Sequence, residues 1–180
     1  MVGLTMGGSV DLRNGYFDAP RTCSGDRAAF EEGLSTKMGP RHGCRMSIVR
    51  CFDAEAERVF NAWVDPQFAC LWLFQSPASE VSGFDFDLHI GGNWKVSDSK
   101  DPAEYVAVGQ YLAIEPPRRL VFTMAMPQFS QDYDRVAVEI VPDGLGCVLQ
   151  LVHDGLAPGS EESIRNGWNA MFDDLSRAVD

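Results

Sequence analysis

From Met46 onward the apolar residues change their spacing from helical to alternating and back again. Met46 to Phe52 reads as a strand, and Asp53 then stands as an N-cap ahead of Ala56, Val59, Phe60 and Trp63, which share one stripe of a 3.6-residue helix. Asp65-Pro66 predicts a second helix start, with the carboxylate as cap and proline where its missing N–H costs little. That helix carries Phe68, Leu71 and Trp72, runs toward Leu73-Phe74 and ends at Ser76-Pro77. The spacing then becomes two. Phe84, Phe86, Leu88 and Ile90 are predicted to face inward and Asp85, Asp87 and His89 to face water. Strands follow at 92–97, 104–114, 119–126, 133–141 and 146–153, with Pro116-Pro117-Arg118-Arg119 and Asp143-Gly144 as turns. After Pro158-Gly159-Ser160 the helical spacing returns through Ile164, Trp168, Met171, Phe172, Leu175 and Val179, with Glu161 and Glu162 near the positive end. Such a helix is about 30 Å long, enough to cross a whole sheet.

The order strand, helix, helix, strand meander, long helix predicts an α+β fold: a curved antiparallel sheet of six to seven strands wrapped around the C-terminal helix, with two short helices after the first strand. A lipocalin-like barrel competes with it, but its strands would close on one another without needing an amphipathic helix. Residues 1–45 differ from the rest. Gly7-Gly8, Asn14-Gly15, Ser24-Gly25, Gly33 and Gly39-Pro40 interrupt every apolar run there, which predicts a flexible tail and one domain over 46–180. Two other readings of the tail are a coding stretch ahead of a true start at Met46, and a segment that folds over a pocket or partner.

With 45% hydrophobic residues in 180, the chain can build one substantial core. Its net charge of −11 is unevenly spread: residues 1–45 hold six basic and five acidic side chains, leaving nine basic and 21 acidic over 46–180. So acidic a domain repels phosphate backbones and anionic membranes, which argues against both as partners. Cys23, Cys44, Cys51, Cys70 and Cys147 show no C-x-x-C spacing and no neighbouring histidine pair, so reduced, mostly buried thiols and no metal site are expected. The N-terminal residues lack a basic region followed by an apolar run, and no segment approaches the ~18 apolar residues of a membrane span; a soluble cytoplasmic protein is the expectation.

Catalytic motifs are sparse. There is no G-x-S-x-G elbow, P-loop or H-E-x-x-H, and Gly91-Gly92 suits a strand start better than a phosphate cradle. Asp85 and Asp87 share a face, but the alternating phenylalanines put both in water. His153 shares strand parity with Leu149 and Leu151 and so points inward, as a ligand anchor or general base, or as a core histidine bonded to a backbone carbonyl or to Asp154. No second acid or base of matching parity stands beside it, which favours the core reading. The aromatics, Phe68 and Phe74 among them, exceed what a small core needs, and they predict a cavity lined by Trp63, Trp72, Phe84, Phe86, Trp94, Tyr111, Phe122 and Trp168, with His153 and Tyr111 as polar anchors.

Four motifs in order, Gly91-Gly92-x-Trp94-Lys95, Gly109-x-Tyr111 with Ile114-x-Pro116-Pro117-x-Arg119-Leu120-Val121-Phe122-Thr123, Leu149-x-Leu151-x-His153-Asp154-Gly155-Leu156, and Gly167-Trp168-x-x-x-Phe172-x-x-Leu175, carry a resemblance. Over about 46–180 the chain resembles the homologues of the heat-shock protein 90 ATPase activator, a branch of the SRPBCC superfamily of START-like, helix-grip proteins. It departs slightly where the family's Leu-Asp-x-Leu stands here as Phe172-Asp173-Asp174-Leu175. The resemblance implies a helix-grip fold with a pocket for lipids, hormones, polyketides or other apolar molecules. Binding of a hydrophobic or amphipathic small molecule without a cofactor is the leading expectation. A cyclase, dehydratase or hydrolase using the same cavity is the second. A chaperone-related interaction module is the third, although the eukaryotic activators add a larger partner domain for which 180 residues leave no room.

Overall fold

A computed structural model describes residues 43–75, 81–98 and 106–179. Its elements run β1 (Cys44–Phe52), α1 (Ala56–Val64), α2 (Pro66–Ala69), β2 (Val81–Phe86), β3 (Asn93–Asp98), β4 (Val106–Glu115), β5 (Arg119–Met124), β6 (Asp134–Asp143), β7 (Gly146–Leu156) and α3 (Glu161–Val179). The seven strands form one antiparallel sheet in the order β1-β7-β6-β5-β4-β3-β2. This is the expected helix-grip arrangement. The strands from β2 to β7 meander between neighbours, and β1 joins the far side by pairing with β7. β1 begins two residues before the expected Met46; residues 1–42, which hold the rest of the expected tail, lie outside the described residues, as does the helix stop at Ser76-Pro77.

Alternation places one face of the sheet in the core. Met46 and Ile48 of β1, Leu120 and Phe122 of β5, Val136, Val138 and Ile140 of β6, and Leu149 and Leu151 of β7 are all buried in one cluster with the helices. On α3, Trp168, Phe172, Leu175 and Val179 form the buried stripe, and the helix packs on β1 and α1. On the opposite face the cross-strand partners Val121, Ala137 and Val152 make a second small apolar cluster.

Asp65 caps α2 as its sequence predicts: its carboxylate accepts from the Gln67 N–H at 2.9 Å, with Pro66 at the first helical position. Asp53 does not cap α1. The helix starts three residues later, Glu55 is its N-cap residue, and the Glu55 backbone carbonyl rather than a side chain takes the first N–H groups. The alternation from Phe84 to Ile90 also ends early. After Phe86 the backbone folds into a turn in which Asp87 N–H bonds Asn93 C=O, His89 N–H bonds Asp87 C=O and Gly92 N–H bonds His89 C=O, with Gly91 at φ 87°. Leu88 and Ile90, expected inside, are therefore 45% and 66% exposed.

The cysteines need a correction too. Cys44, Cys70 and Cys147 are free thiols, only Cys147 being buried, whereas Cys51 is disulfide-bonded. Reduced cysteines throughout were expected because the sequence shows no paired cysteine spacing.

Candidate functional site

The stripe of α1 delivers Trp63 to the centre of the space between sheet and helices. Its ring centroid lies 4.7 Å from Trp72, 5.9 Å from Trp168, 6.1 Å from Phe122 and 6.3 Å from Phe172, mostly in tilted or edge-on geometries favoured by the ring quadrupoles. Trp94, from β3, meets Phe122 edge-on at 5.6 Å. Trp94 reaches that position over β4 because residue 109 is glycine: a Cβ there would collide with Thr123 O and with Trp94 Nε1, which donates to that same carbonyl at 3.1 Å.

These rings enclose a cavity. Trp63 of α1, Phe86 of β2, Trp94 of β3, Tyr111 of β4, Phe122 of β5 and Trp168 of α3 all line it. Leu73, Phe74, Leu120 and Met124 complete the wall. Measured as the space open to the centre of a water molecule its volume is about 20 Å³, whereas the unfilled space including the mouth is about 350 Å³. The smaller figure decides what the cavity holds, which is about one water. No charged side chain lines the wall, and Tyr111 supplies its one hydroxyl. Burial pushes that phenol well above its usual range, so it stays protonated.

Of the nine residues expected from sequence, the cavity brings six together. Trp72 is fully buried behind Trp63, where its Nε1 donates to Ala62 O at 2.9 Å. Phe84 is partly buried and packs edge-on against Phe86 at 6.1 Å. His153 is 0% exposed, inward as its parity predicts, but it stands behind the wall. The Trp168 indole N–H donates to His153 Nδ1 at 3.1 Å, so that nitrogen is the acceptor and the ring proton sits on Nε2. Nε2 faces Asp134 Oδ2 at 3.2 Å, across the sheet on β6. Both nitrogens are engaged, and the expected core partner Asp154 instead pairs with Arg45 at 3.3 Å.

Four wall residues stand outside those nine, and of them only Phe74 was among the surplus aromatics. Leu120 and Met124 share the parity of Phe122 on β5, so period two would have found them. Leu73 and Phe74 follow α2 as an apolar pair. Phe74 takes φ 58°, a left-handed conformation unusual for an aromatic residue that no sequence signal announces. Asp85, Asp87 and His89 stand in water, with His89 Nδ1 2.9 Å from Asp87 Oδ1. Among the described residues no three His, Cys, Asp or Glu side chains gather as a metal site, and no helix is long and apolar enough to cross a membrane.

The family model described as activator of Hsp90 ATPase homolog 1-like protein matches residues 53–180. Among solved structures, protein CV1439 of Chromobacterium violaceum is 22% identical, with 75% of this chain and 96% of that chain covered and a TM-score of 0.67. The AHSA1-like protein of Aeromonas hydrophila is 25% identical over 76% of this chain and 92% of its own, with a TM-score of 0.65. CalU16 of Micromonospora echinospora is 24% identical over 75% of each chain, at 0.58. No curated protein matches the chain.

Proposed function

Because the chain belongs to the family of activator of Hsp90 ATPase homolog 1-like proteins, we propose that it binds a hydrophobic or amphipathic small molecule in the cavity between sheet and C-terminal helix. The supporting observation is the wall itself: ten apolar or aromatic residues from six of the structure's elements and the segment after α2, with no charge among them. Ligand sites are usually ~300–1,000 Å³, so a bound molecule must push wall side chains apart. Met124, unbranched and flexible, is the side chain best suited to give way.

An enzyme in the same cavity would need an acid and a base within reach of the ligand. His153 has both nitrogens engaged behind the wall and Tyr111 is held protonated, which favours binding over proton transfer. The third reading, a module that docks on a chaperone, draws on the family's name and on the exposed Phe68 and Leu71 beside α2. A cytoplasmic location belongs to the proposal as well. The Cys51 disulfide is the observation set against it, since such bonds are rare in reducing compartments.

The test is a fluorescence titration with the uncharged probe N-phenyl-1-naphthylamine, followed by chemical analysis of the recovered probe and of any ligand co-purified with the protein. Saturable one-site binding, weakened by Trp94→Ala, is expected. A folded protein that binds no apolar probe overturns the cavity reading in favour of the docking module, and a chemically altered ligand overturns it in favour of the enzyme.

A further inference from the structure

We propose that the indole N–H of Trp63 is held for the ligand, and that the ligand is a flat, uncharged molecule carrying a hydrogen-bond-accepting oxygen such as a ketone; this rests on the cavity-binding reading above. The chain has four tryptophans, Trp63, Trp72, Trp94 and Trp168, and all four are buried. Three have their N–H satisfied within the protein: Trp72 by Ala62 O at 2.9 Å, Trp94 by Thr123 O at 3.1 Å and Trp168 by His153 Nδ1 at 3.1 Å. Trp63 differs. Its ring lines the cavity and is 4% exposed, and its Nε1 is shielded from solvent with no hydrogen-bond partner.

An indole nitrogen is a donor only, and a buried donor left unmade costs more than an ordinary hydrogen bond returns. Rings on several sides, Trp72, Trp168, Phe122 and Phe172, fix Trp63 in place, so it cannot turn to find a protein acceptor. Among the described residues, no other side chain that lines the cavity carries a solvent-shielded nitrogen or oxygen without a partner. Among the described residues Trp63 thus carries the wall's one solvent-shielded nitrogen without a partner, and an occupant that brings an oxygen satisfies it. The remaining ligand properties follow from the same wall. Aromatic faces accept a flat apolar body, and the lack of any charged partner makes an ionised ligand costly to bury.

The matched probes fluorene and 9-fluorenone share one flat framework and differ by a methylene against a carbonyl. Calorimetric titration of the full chain is expected to show 9-fluorenone binding more tightly by about fivefold to tenfold, the effect of one hydrogen bond. Trp63→Phe is expected to bind both probes alike. In ¹H–¹⁵N spectra of the wild type, the Trp63 indole resonance should shift with 9-fluorenone and hold still with fluorene, which keeps the proposal testable if Trp63→Phe fails to fold. Equal binding of the two probes by wild type, a ketone preference that survives in Trp63→Phe, or an unmoved indole resonance overturns the assignment to Trp63 while leaving the cavity reading intact. Binding of neither probe overturns both.

Discussion

His153 shows how a single side chain can be placed correctly by sequence while its partners stay hidden. Its parity with Leu149 and Leu151 put it inside, where it is, but its partners Asp134 and Trp168 come from a neighbouring strand and from α3, and no local pattern links them. The chain of donors runs from indole to imidazole to carboxylate, so the histidine orders the wall rather than contacting its contents. His153→Leu should leave the Trp168 N–H buried and unpaired and lower stability by about 1–3 kcal/mol, while apolar probes still bind; urea midpoints of variant and wild type measure it. Cys147 makes a second residue-scale prediction. Desolvation, helped by the negative field of Glu57, pushes its thiol from 9.0 up to about 11. A folded-state pKa raised in this way gives stability that is fully present below pH 9 and is lost as pH rises toward 11. The fall in urea midpoint between pH 8 and pH 10.5 should shrink in Cys147→Ala. Tyr111, shifted in the same direction by burial, should sustain what remains of the slope.

At the scale of elements, sequence periodicity worked where one face of a strand or helix meets the core and failed where the chain turns. The stripes of α1 and α3 follow directly from the residues, because burial of one helix face against the core imposes that period. Leu88 and Ile90 continue the alternation of β2 beyond its last ladder pair, and only the backbone bonds of the turn reveal that they point to solvent. Trp72 has the helical spacing of a wall residue but sits one layer behind Trp63, a depth that periodicity does not encode. Gly109 carries an element-scale prediction. It lets β3 and β5 approach across β4 through the Trp94 indole, so Gly109→Ala must displace either Trp94 or the Thr123 carbonyl. A loss of about 1–3 kcal/mol in denaturant unfolding is expected, as for overpacking a tight site, together with a change in Trp94 fluorescence. An unshifted midpoint would mean that the two strands separate there at no cost.

For the molecule as a whole, the helix-grip architecture was legible because strand count, helix placement and four ordered motifs agreed, whereas the cavity's small volume was not, since it depends on how far ten side chains interpenetrate. The sheet order has a consequence for the time course of folding. Strands β2 to β7 each pair with their sequence neighbour across connections of two to nine residues, but β1 pairs with β7, roughly a hundred residues away, and its loop closure is the entropically expensive one. In a chevron analysis Val138→Ala, on β6 within the meander, should slow folding, whereas Ile48→Ala on β1 should leave the folding rate within about a factor of two and act by speeding unfolding. If Ile48→Ala slows folding as much as Val138→Ala does, the two ends of the sheet meet early. The topology argues otherwise: β1, made before the meander it joins, waits for the rest of the sheet before it finds its place.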